Sequence, residues 1–236
     1  MLNQNTVWQF ATAANIRFGR GSRTLLPSEL QSLRIARPLI VTDRTIVKLQ
    51  PIADLIQSLK QSGVSVTVFE GCIPEPPIAV AEAAIAIGKD SNVDGVVGIG
   101  GGSNLDIAKM VATVLRHDGS PADYFGFDAI PGPVLPLIAM PTTAGTGSEV
   151  SHSAVLTDPN QQIKVSTLSR WLRPTVAIID PALTDSCPPI VTARSGIDAL
   201  VHAIEALTNR DFSEMVGVNP QARANNCQLP TRKSHR

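Results

Sequence analysis

Two residues in the C-terminal part of the chain, Asp198 and His202, have side chains and a spacing that could bind a metal ion. They stand four positions apart in the segment SGIDALVHAIEAL, whose apolar residues have helical spacing, so both would lie on one face of a helix. A carboxylate and an imidazole placed in this way can ligate one divalent cation. They can also hydrogen-bond to each other, which the spacing alone favours, and two ligands are fewer than the three that a catalytic zinc ion takes.

A second candidate site is the glycine run of GIGGGSNLDIAK, residues 98–109, which passes directly into an amphipathic segment. Gly101 and Gly102 would let backbone N–H groups approach a phosphate closely, at the positive end of a helix. Ser103 could add a hydroxyl donor, although it stands where the third glycine of the dinucleotide fingerprint would fall. A tight strand-to-helix turn is the alternative, but three consecutive glycines favour phosphate binding. We expect Asp106 to accept hydrogen bonds from amides at the helix start.

Polar residues follow two other predicted strands. An acid in the position of Asp43 can hydrogen-bond the ribose hydroxyls of a dinucleotide, and its charge disfavours a 2′-phosphate; it can also simply cap the next helix. Because Asp43 precedes the glycine run, a shared dinucleotide would require a strand order different from the usual one. In PTTAGTGSEVS, residues 141–151, seven of the eleven residues are Thr, Ser or Gly, which favours a polar ligand over a plain surface loop.

Alternating strands and helices must position these candidates. This alternation predicts an α/β fold with a mostly parallel sheet that is covered on both faces, and its ligands would sit at the carboxyl ends of the strands. Pro51 would begin or kink the first helix. Apolar patterns predict strands at 35–43, 63–71, 93–100, 134–140 and 174–180, helices at 45–62, at 75–90 and after the glycine run, and a loop at 117–133.

The pattern changes after Pro188 and Pro189, where helical spacing continues without further strands. We therefore predict an α/β domain at 1–187 and a helical segment at 188–212. The tail, residues 213–236, has almost no apolar periodicity and is predicted to be disordered or foreign to the fold.

Composition favours a soluble cytoplasmic protein. The chain has 236 residues, of which 43% are hydrophobic and 17% charged. Basic and acidic residues number 20 each, so no net field would attract nucleic acid or an anionic membrane. Three cysteines without metal-ligand spacing indicate a reducing compartment, and neither a secretory start nor a membrane-spanning run is present in the sequence.

Together these segments resemble the iron-dependent (group III) alcohol dehydrogenase family. GIGGGSNLDIAK is similar to the family's G-G-G-S-x-x-D-x-A-K segment, PTTAGTGSEVS to P-T-T-x-G-T-G-S-E-V, and GIDALVHAIEA to G-x-D-A-L-x-H-A-I-E-A. The resemblance covers roughly residues 7–209. It implies a dehydroquinate synthase-like fold, in which a nucleotide-binding α/β domain is followed by an all-helical metal-binding domain.

The resemblance also implies a metal-dependent alcohol dehydrogenase that uses NAD and acts on a small-molecule substrate, an alcohol or an aldehyde. The metal, iron(II) or zinc, would have Asp198 and His202 as the first two of the family's four ligands. The implied NAD-binding residues are Asp43 at the ribose, Gly101, Gly102 and Ser103 at the pyrophosphate, and Thr142, Thr143, Ser151 and Lys164 along the cofactor.

The sequence departs from the family at the two remaining metal ligands, which are histidines further along its chain. His117, His152 and His235 do not stand at matching positions, and a shifted reading frame or an early stop after Asn209 would explain the divergent end. Two alternatives therefore remain: a truncated remnant that binds NAD without turnover, and a sibling polyol or glycerol dehydrogenase or dehydroquinate synthase-like lyase. A homo-oligomer is compatible with the sequence, and no nucleic-acid or membrane partner is expected.

Overall fold

The computed structural model describes residues 13–159 and 161–208. The strands in this part of the chain are β1 (Asn15–Phe18), β2 (Pro38–Val41), β3 (Thr67–Phe69), β4 (Gly95–Gly100), β5 (Gly126–Phe127), β6 (Leu137–Pro141), β7 (Ser153–Asp158), β8 (Ile163–Leu168) and β9 (Val176–Ile179). The α-helices are α1 (Leu26–Ser32), α2 (Gln50–Gln61), α3 (Ile78–Asp90), α4 (Gly102–His117) and α5 (Pro189–Thr208). Short 3-10 helices lie at Ser22–Leu25, Ile46–Lys48, Pro121–Tyr124, Arg170–Leu172 and Pro181–Thr184.

Six strands form one parallel sheet in the order β1-β9-β6-β4-β2-β3. This sheet confirms the predicted α/β class. β2, β3 and β9 lie inside the predicted strands, β4 keeps its predicted end at Gly100, and β6 ends at Pro141, just beyond the prediction. Pro51 lies in the first turn of α2, so it begins that helix, where its missing N–H group costs nothing.

Different helices bury the two faces of the sheet. Leu39 and Val96 belong to a cluster that also contains residues of α3 and α4, whereas Ile40 and Val97 belong to a cluster with residues of α1 and α2. Successive strand residues point to opposite faces, so a strand covered on both sides must be apolar throughout. All six residues of β4 are accordingly buried.

Several elements lie where the sequence patterns predict none. β7 and β8 pair antiparallel and, with β5, make a second, three-stranded sheet; β1 and α1 are likewise additional. β7 buries only Ala154, Leu156 and Asp158, which is too little apolar alternation to identify a strand. The predicted loop at 117–133 also contains a 3-10 turn, Pro121–Tyr124, and the short β5.

The sheet register brings the candidate segments to one edge. Gly100, the last residue of β4, pairs with Pro141, the last residue of β6. On the other side of β4, Val41 at the end of β2 pairs with Gly98. Because the strands are parallel, their carboxyl ends meet at this edge, as expected for a ligand site.

α5 follows the sheet and contains the boundary between two compact units of the chain. Residues up to Ala199 belong to one unit and residues from Leu200 to the other. Ile190 and Ile197 are 60% and 61% exposed, so these large apolar side chains stay uncovered in the part of the chain that the structure describes. The predicted tail at 213–236 lies outside the described residues. No described helix is both long and apolar enough to cross a membrane.

A buried carboxylate joins the first strand region to the last. Asp180, directly after β9, accepts hydrogen bonds from the backbone N–H groups of Gly21 (2.9 Å) and Ala182 (3.0 Å) and from the Arg23 guanidinium (2.7 Å). Burial alone would raise the pKa of Asp180, but the hydrogen bonds from Gly21, Arg23 and Ala182 together lower it below its ordinary value. Asp180 is therefore held ionised and ties β9 to the turn that follows β1.

We expect Asp180→Ala to lower the free energy of unfolding by about 3 kcal/mol, because it leaves buried donors without an acceptor. The folded-state pKa is depressed, so the wild-type contribution is present above the ordinary aspartate pKa of 3.8 and is lost as pH falls through the folded-state value. Urea unfolding at neutral and acidic pH measures both effects. Asp185→Ala, which removes an exposed ion pair with Arg20, is the matched control and should change stability little. Equal effects of the two substitutions would contradict the role given to Asp180.

Candidate functional site

The glycine run forms the junction between β4 and α4. Gly101 precedes the first helical residue, Gly102, and no side chain caps this helix start. The N–H groups of Gly102 and Ser103 belong to the first turn, which has no acceptor within the helix. Together with the positive end of the helix dipole, they form a site suited to an anion.

Close contacts explain why this junction is made of glycine. Gly100 has a φ of +145°, and a Cβ atom there would overlap the Asn104 side chain. A Cβ on Gly102 would lie 2.8 Å from Cγ2 and 2.9 Å from Oγ1 of Thr146. A Cβ on Gly101 would stand 3.5 Å from the Thr143 hydroxyl oxygen. The turn therefore lies against the threonines of the loop at 141–151, so that two predicted segments share one site.

Asp43 is brought to the same place by Asn104. Its Oδ2 accepts a hydrogen bond from Asn104 Nδ2 at 2.9 Å, while its Oδ1 accepts from the backbone N–H groups of Thr45 (2.8 Å) and Ile46 (2.9 Å). Asp43 thus caps the following 3-10 turn and also lies beside α4. Both readings of this residue from the sequence, a cap and a site residue, remain compatible with its geometry.

Lys109 fixes the loop after β6 to α4. Its side chain is fully buried, and Nζ donates to Ser148 Oγ (2.8 Å), Ser151 Oγ (3.0 Å) and the carbonyl oxygen of Ser153 (2.7 Å). These three bonds use all the donors of an ammonium group. Thr142 is also buried and donates its backbone N–H to the Gly100 carbonyl. Ser151 and Thr142 are therefore held by protein contacts next to the glycine turn.

The expectation that Asp106 accepts hydrogen bonds from amides at the start of its own helix is wrong. Because α4 begins at Gly102, Asp106 lies beyond the first turn. Its Oδ2 instead accepts from the backbone N–H of Val155 in β7 (3.0 Å), and its Oδ1 from Ser148 Oγ (2.7 Å). Asp106 joins α4 to the second sheet, a contact between elements that sequence spacing does not reveal.

Burial disfavours the charged forms of both Lys109 and Asp106. Burial lowers the pKa of Lys109 to about 8, although the charges of Asp106 and Glu149 act to raise it. Burial likewise raises the pKa of Asp106, against the effects of Lys109, Ser148 and the Val155 amide. The pair is separated by 3.8 Å. Because desolvation outweighs attraction in both groups, the network positions the loop rather than adding stability.

Three other predicted residues lie outside these contacts. Lys164, on β8, donates to Glu75 Oε1 at 2.9 Å, and both side chains are exposed. Asp198 and His202 both lie in α5, Asp198 half-buried and His202 exposed. Among the residues that the structure describes, no group of three or more His, Cys, Asp or Glu side chains could hold a metal ion. The first part of α5 does contact the loop, since a Cβ on Gly145 would lie 2.7 Å from the Ser195 carbonyl oxygen.

Sequence reasoning missed Asn104 and the buried Lys109 network. The burial of Lys109 could have been predicted, because it stands in IAKMVATV, a helical stretch that is apolar on nearly every side. A charge inside such a helix indicates a buried partner network. No sequence signal pointed to Asn104, since its contact with Asp43 spans 61 positions and depends on the conformation of Gly100.

Cys72 is a further neighbour of Asp43. Gly71, the preceding residue, forms a bridge with Asp43, and Cys72 is buried and not disulfide-bonded. Burial, with an added contribution from the Asp43 charge, raises the pKa of the Cys72 thiol to about 12. The thiol is therefore protonated and inert at neutral pH.

Comparison with known proteins assigns the chain to a family. Residues 13–181 match the model of the family described as iron-containing alcohol dehydrogenase. The match covers well over half of the chain, and the chain therefore belongs to the iron-containing alcohol dehydrogenase family. This finding confirms the family that the sequence motifs resemble.

Two relatives illustrate the similarity. Long-chain-alcohol dehydrogenase 1 of Geobacillus thermodenitrificans is 43% identical over 198 residues, which are 83% of this chain and 50% of that protein. NAD-dependent methanol dehydrogenase of Bacillus methanolicus is 36% identical over 188 residues, 80% of this chain and 49% of that protein. The chain thus spans about half the length of the curated relatives it matches.

Solved structures confirm the fold. A 1,3-propanediol oxidoreductase superimposes with a TM-score of 0.83 at 30% identity, over 93% of this chain and 56% of that one. Sulfoacetaldehyde reductase from Bifidobacterium kashiwanohense in complex with NAD+ superimposes with a TM-score of 0.76 at 35% identity, over 86% of this chain and 54% of that one. The α/β domain described above is therefore the N-terminal part of this fold.

Lys109→Met is expected to destabilise the protein by about 3–5 kcal/mol, because it leaves Asp106 buried without its cation. Adding Asp106→Asn should recover part of this loss, since the amide oxygen can still accept from Val155 and no charge remains. Chemical denaturation of the two variants and the wild type measures the difference. A double variant no more stable than Lys109→Met would show that the lost charge pairing is not the cause.

We expect Cys72 of the folded protein to resist alkylation by iodoacetamide at pH 8, where a thiol with a pKa of about 12 is almost entirely protonated. Its labelling should rise on unfolding or at strongly alkaline pH, as read by peptide mass spectrometry. The half-buried Cys187 serves as an internal reference for the reagent. Rapid labelling of Cys72 in the folded protein at pH 8 would contradict this assignment.

Proposed function

We propose that this chain carries the cofactor-binding half of an NAD-dependent alcohol dehydrogenase, which transfers a hydride between NAD and an alcohol–aldehyde pair. One observation carries the proposal. The glycine turn of α4, Asp43 and the threonines of the loop after β6 meet at the carboxyl edge of the sheet. Membership of the iron-containing alcohol dehydrogenase family supports the choice of chemistry.

The N-terminal turn of α4 fits a pyrophosphate. The amides of Gly102 and Ser103 lie where the helix leaves them without acceptors. Gly101 has no side chain, so a phosphate can approach the backbone beside the Thr143 hydroxyl. We assign Gly101, Gly102 and Ser103 to the pyrophosphate and Thr143 to the adjacent wall.

Asp43 is assigned to the adenosine ribose. An ionised carboxylate can accept hydrogen bonds from ribose hydroxyls, and it repels the 2′-phosphate of NADP. Its contacts with Thr45, Ile46 and Asn104 fix its position. The proposed cofactor is therefore NAD, as the names of two similar proteins also suggest.

The remaining predicted cofactor residues take different parts in this proposal. Thr142 and Ser151 keep the loop in place, since one bonds to Gly100 and the other to Lys109. Lys164 would reach the cofactor only by leaving its exposed ion pair with Glu75, which costs little because surface pairs are weak.

Asp198 and His202 are proposed as two ligands of the metal that the family description names. The described residues do not complete a metal site, so no step of the reaction is derived through the metal. What this chain's residues contribute is binding and orientation: fixed amides and hydroxyls hold the cofactor at the sheet edge, and NAD itself carries the hydride.

The domain organisation, substrate class, location and assembly of the protein are proposed on the basis of the family resemblance and the sequence. Residues 1–187 would bind NAD, 188–212 would begin the helical metal-binding domain, and 213–236 would be a divergent tail. The substrate would be an alcohol or an aldehyde. Equal numbers of acidic and basic residues support the expectation of no nucleic-acid or membrane partner. A cytoplasmic location, which the three cysteines favour, and assembly into a homo-oligomer stay predictions.

A second candidate function is NAD binding without turnover. It is favoured by the described residues, in which no third His, Cys, Asp or Glu joins Asp198 and His202, whereas a catalytic zinc ion takes three protein ligands. A polyol dehydrogenase or a dehydroquinate synthase-like lyase would use the same cofactor turn, so only substrate tests separate these reactions from the first proposal.

Gly102→Ala is expected to weaken NADH binding at least tenfold, about 1.4 kcal/mol. The added methyl group would lie 2.8 Å from Thr146, so it displaces the loop and occupies the approach to the helix amides. Fluorescence titration with NADH measures the affinity. Gly132→Ala is the control, because its Cβ would lie at an ordinary 3.7 Å from the His117 ring. NADH affinity that is unchanged in Gly102→Ala would remove the glycine turn from the cofactor site.

Turnover is tested with the full chain, NAD, iron(II) and a series of primary alcohols, polyols and glycerol, with NADH formation as the readout. NADH formation with primary alcohols supports the first proposal. NADH binding without turnover supports the second, and failure to bind NADH contradicts both.

A further inference from the structure

The Asn104 side chain is fixed by two acceptors. It is only 5% exposed, and its Nδ2 donates to Asp43 Oδ2 at 2.9 Å and to the Ile99 carbonyl oxygen at 3.1 Å. Both acceptors are oxygen atoms that present lone pairs, so an amide oxygen in the position of Nδ2 would be repelled by both. The side chain therefore has one favourable orientation.

The end of β4 is shaped to accommodate this amide. Gly100 has a φ of +145°, and any Cβ atom at that position would overlap Asn104. Such a backbone conformation is open to glycine and disfavoured for other residues. Gly100 therefore serves to admit Asn104, in addition to forming the turn.

Asp43 is held at both of its carboxylate oxygens. Two backbone amides bind Oδ1, those of Thr45 and Ile46, and Asn104 binds Oδ2. Each carboxylate oxygen has about two acceptor positions, so Oδ1 is fully used and the remaining capacity lies on Oδ2. The oxygen that is free to accept from a ligand is thus the one that Asn104 positions.

We propose that Asn104 is a positioning residue that sets the preference for NAD over NADP by holding Oδ2 of Asp43 in place. This inference rests on the proposed function. A hydrogen bond to a ribose hydroxyl needs the acceptor at a defined point, and repulsion of a 2′-phosphate needs a carboxylate that cannot turn away. Without Asn104, the carboxylate is held through Oδ1 alone, so rotation of the whole group about the Cβ–Cγ bond is less restrained and Oδ2 can leave the position that both interactions need.

Asn104→Ala is expected to weaken NADH binding about tenfold while NADPH affinity is unchanged or improved, so that the preference for NADH falls about tenfold. The full chain is titrated with NADH and with NADPH, and fluorescence gives the two affinities. A residue that only stabilised the fold would lower both affinities together.

A double-mutant cycle with Asp43→Ala shows whether Asn104 acts through Asp43. In the Asp43→Ala background, Asn104→Ala should leave NADH affinity unchanged. An undiminished loss in that background would overturn the inference, as would an unaltered NADH-to-NADPH ratio in Asn104→Ala alone.

Asn104→Leu provides a second variant of similar size for the case that Asn104→Ala does not fold, as judged by circular dichroism. It removes both donated hydrogen bonds without adding a charge, so it should weaken NADH binding and lower the preference for NADH as Asn104→Ala does. Wild-type protein that fails to bind NADH would refute the proposed function itself. Wild-type protein that prefers NADH, with variants that keep that preference, would refute only the role of Asn104.

Discussion

The buried ammonium group of Lys109 is the constraint on which the arrangement at the carboxyl edge of the sheet depends. An ammonium in an apolar interior must have every proton accepted, and its acceptors here come from Ser148, Ser151 and Ser153. These residues belong to a segment that has few apolar side chains to fix it. Because Lys109 lies on the helix that begins with the glycine turn, the loop and the turn are positioned by one contact. Asp106 extends the same network to β7.

Parallel strand register provides the rest of the site. β2, β4 and β6 end at one edge, so Asp43, the glycine turn and the threonine loop meet although they are far apart in sequence. Their direct contacts include the hydrogen bonds of Asn104 with Asp43 and of Thr142 with Gly100, and the close approach of Thr146 to Gly102. A ligand at this edge would meet backbone amides and hydroxyls that are already oriented, which lowers the entropic cost of binding.

The sequence predicts those parts of the molecule that local patterns determine. The apolar runs of β2, β4 and β6, and the glycine run before α4, identify the sheet and one site element, since a strand buried on both faces must be apolar throughout. The strands β7 and β8 could not be predicted from the apolar pattern, because few of their side chains enter the core. The partners of Asp106 and Asn104 could not be predicted, because they are set by contacts 49 and 61 positions away. The cofactor and metal roles of all the predicted site residues, Lys164, Asp198 and His202 among them, stay predictions.

The contact between Asp180 and Gly21 has a consequence for the order of folding. It joins residues 159 positions apart, and β1 takes its place in the sheet only by pairing with β9. During synthesis, β1 therefore cannot pair until β9 has left the ribosome, and it must wait unpaired while β2, β3, β4 and β6 assemble. Closing so long a loop makes this the slowest kind of contact to form. The N-terminal edge of the sheet is thus completed last, and it is the part most exposed to mispairing while translation continues.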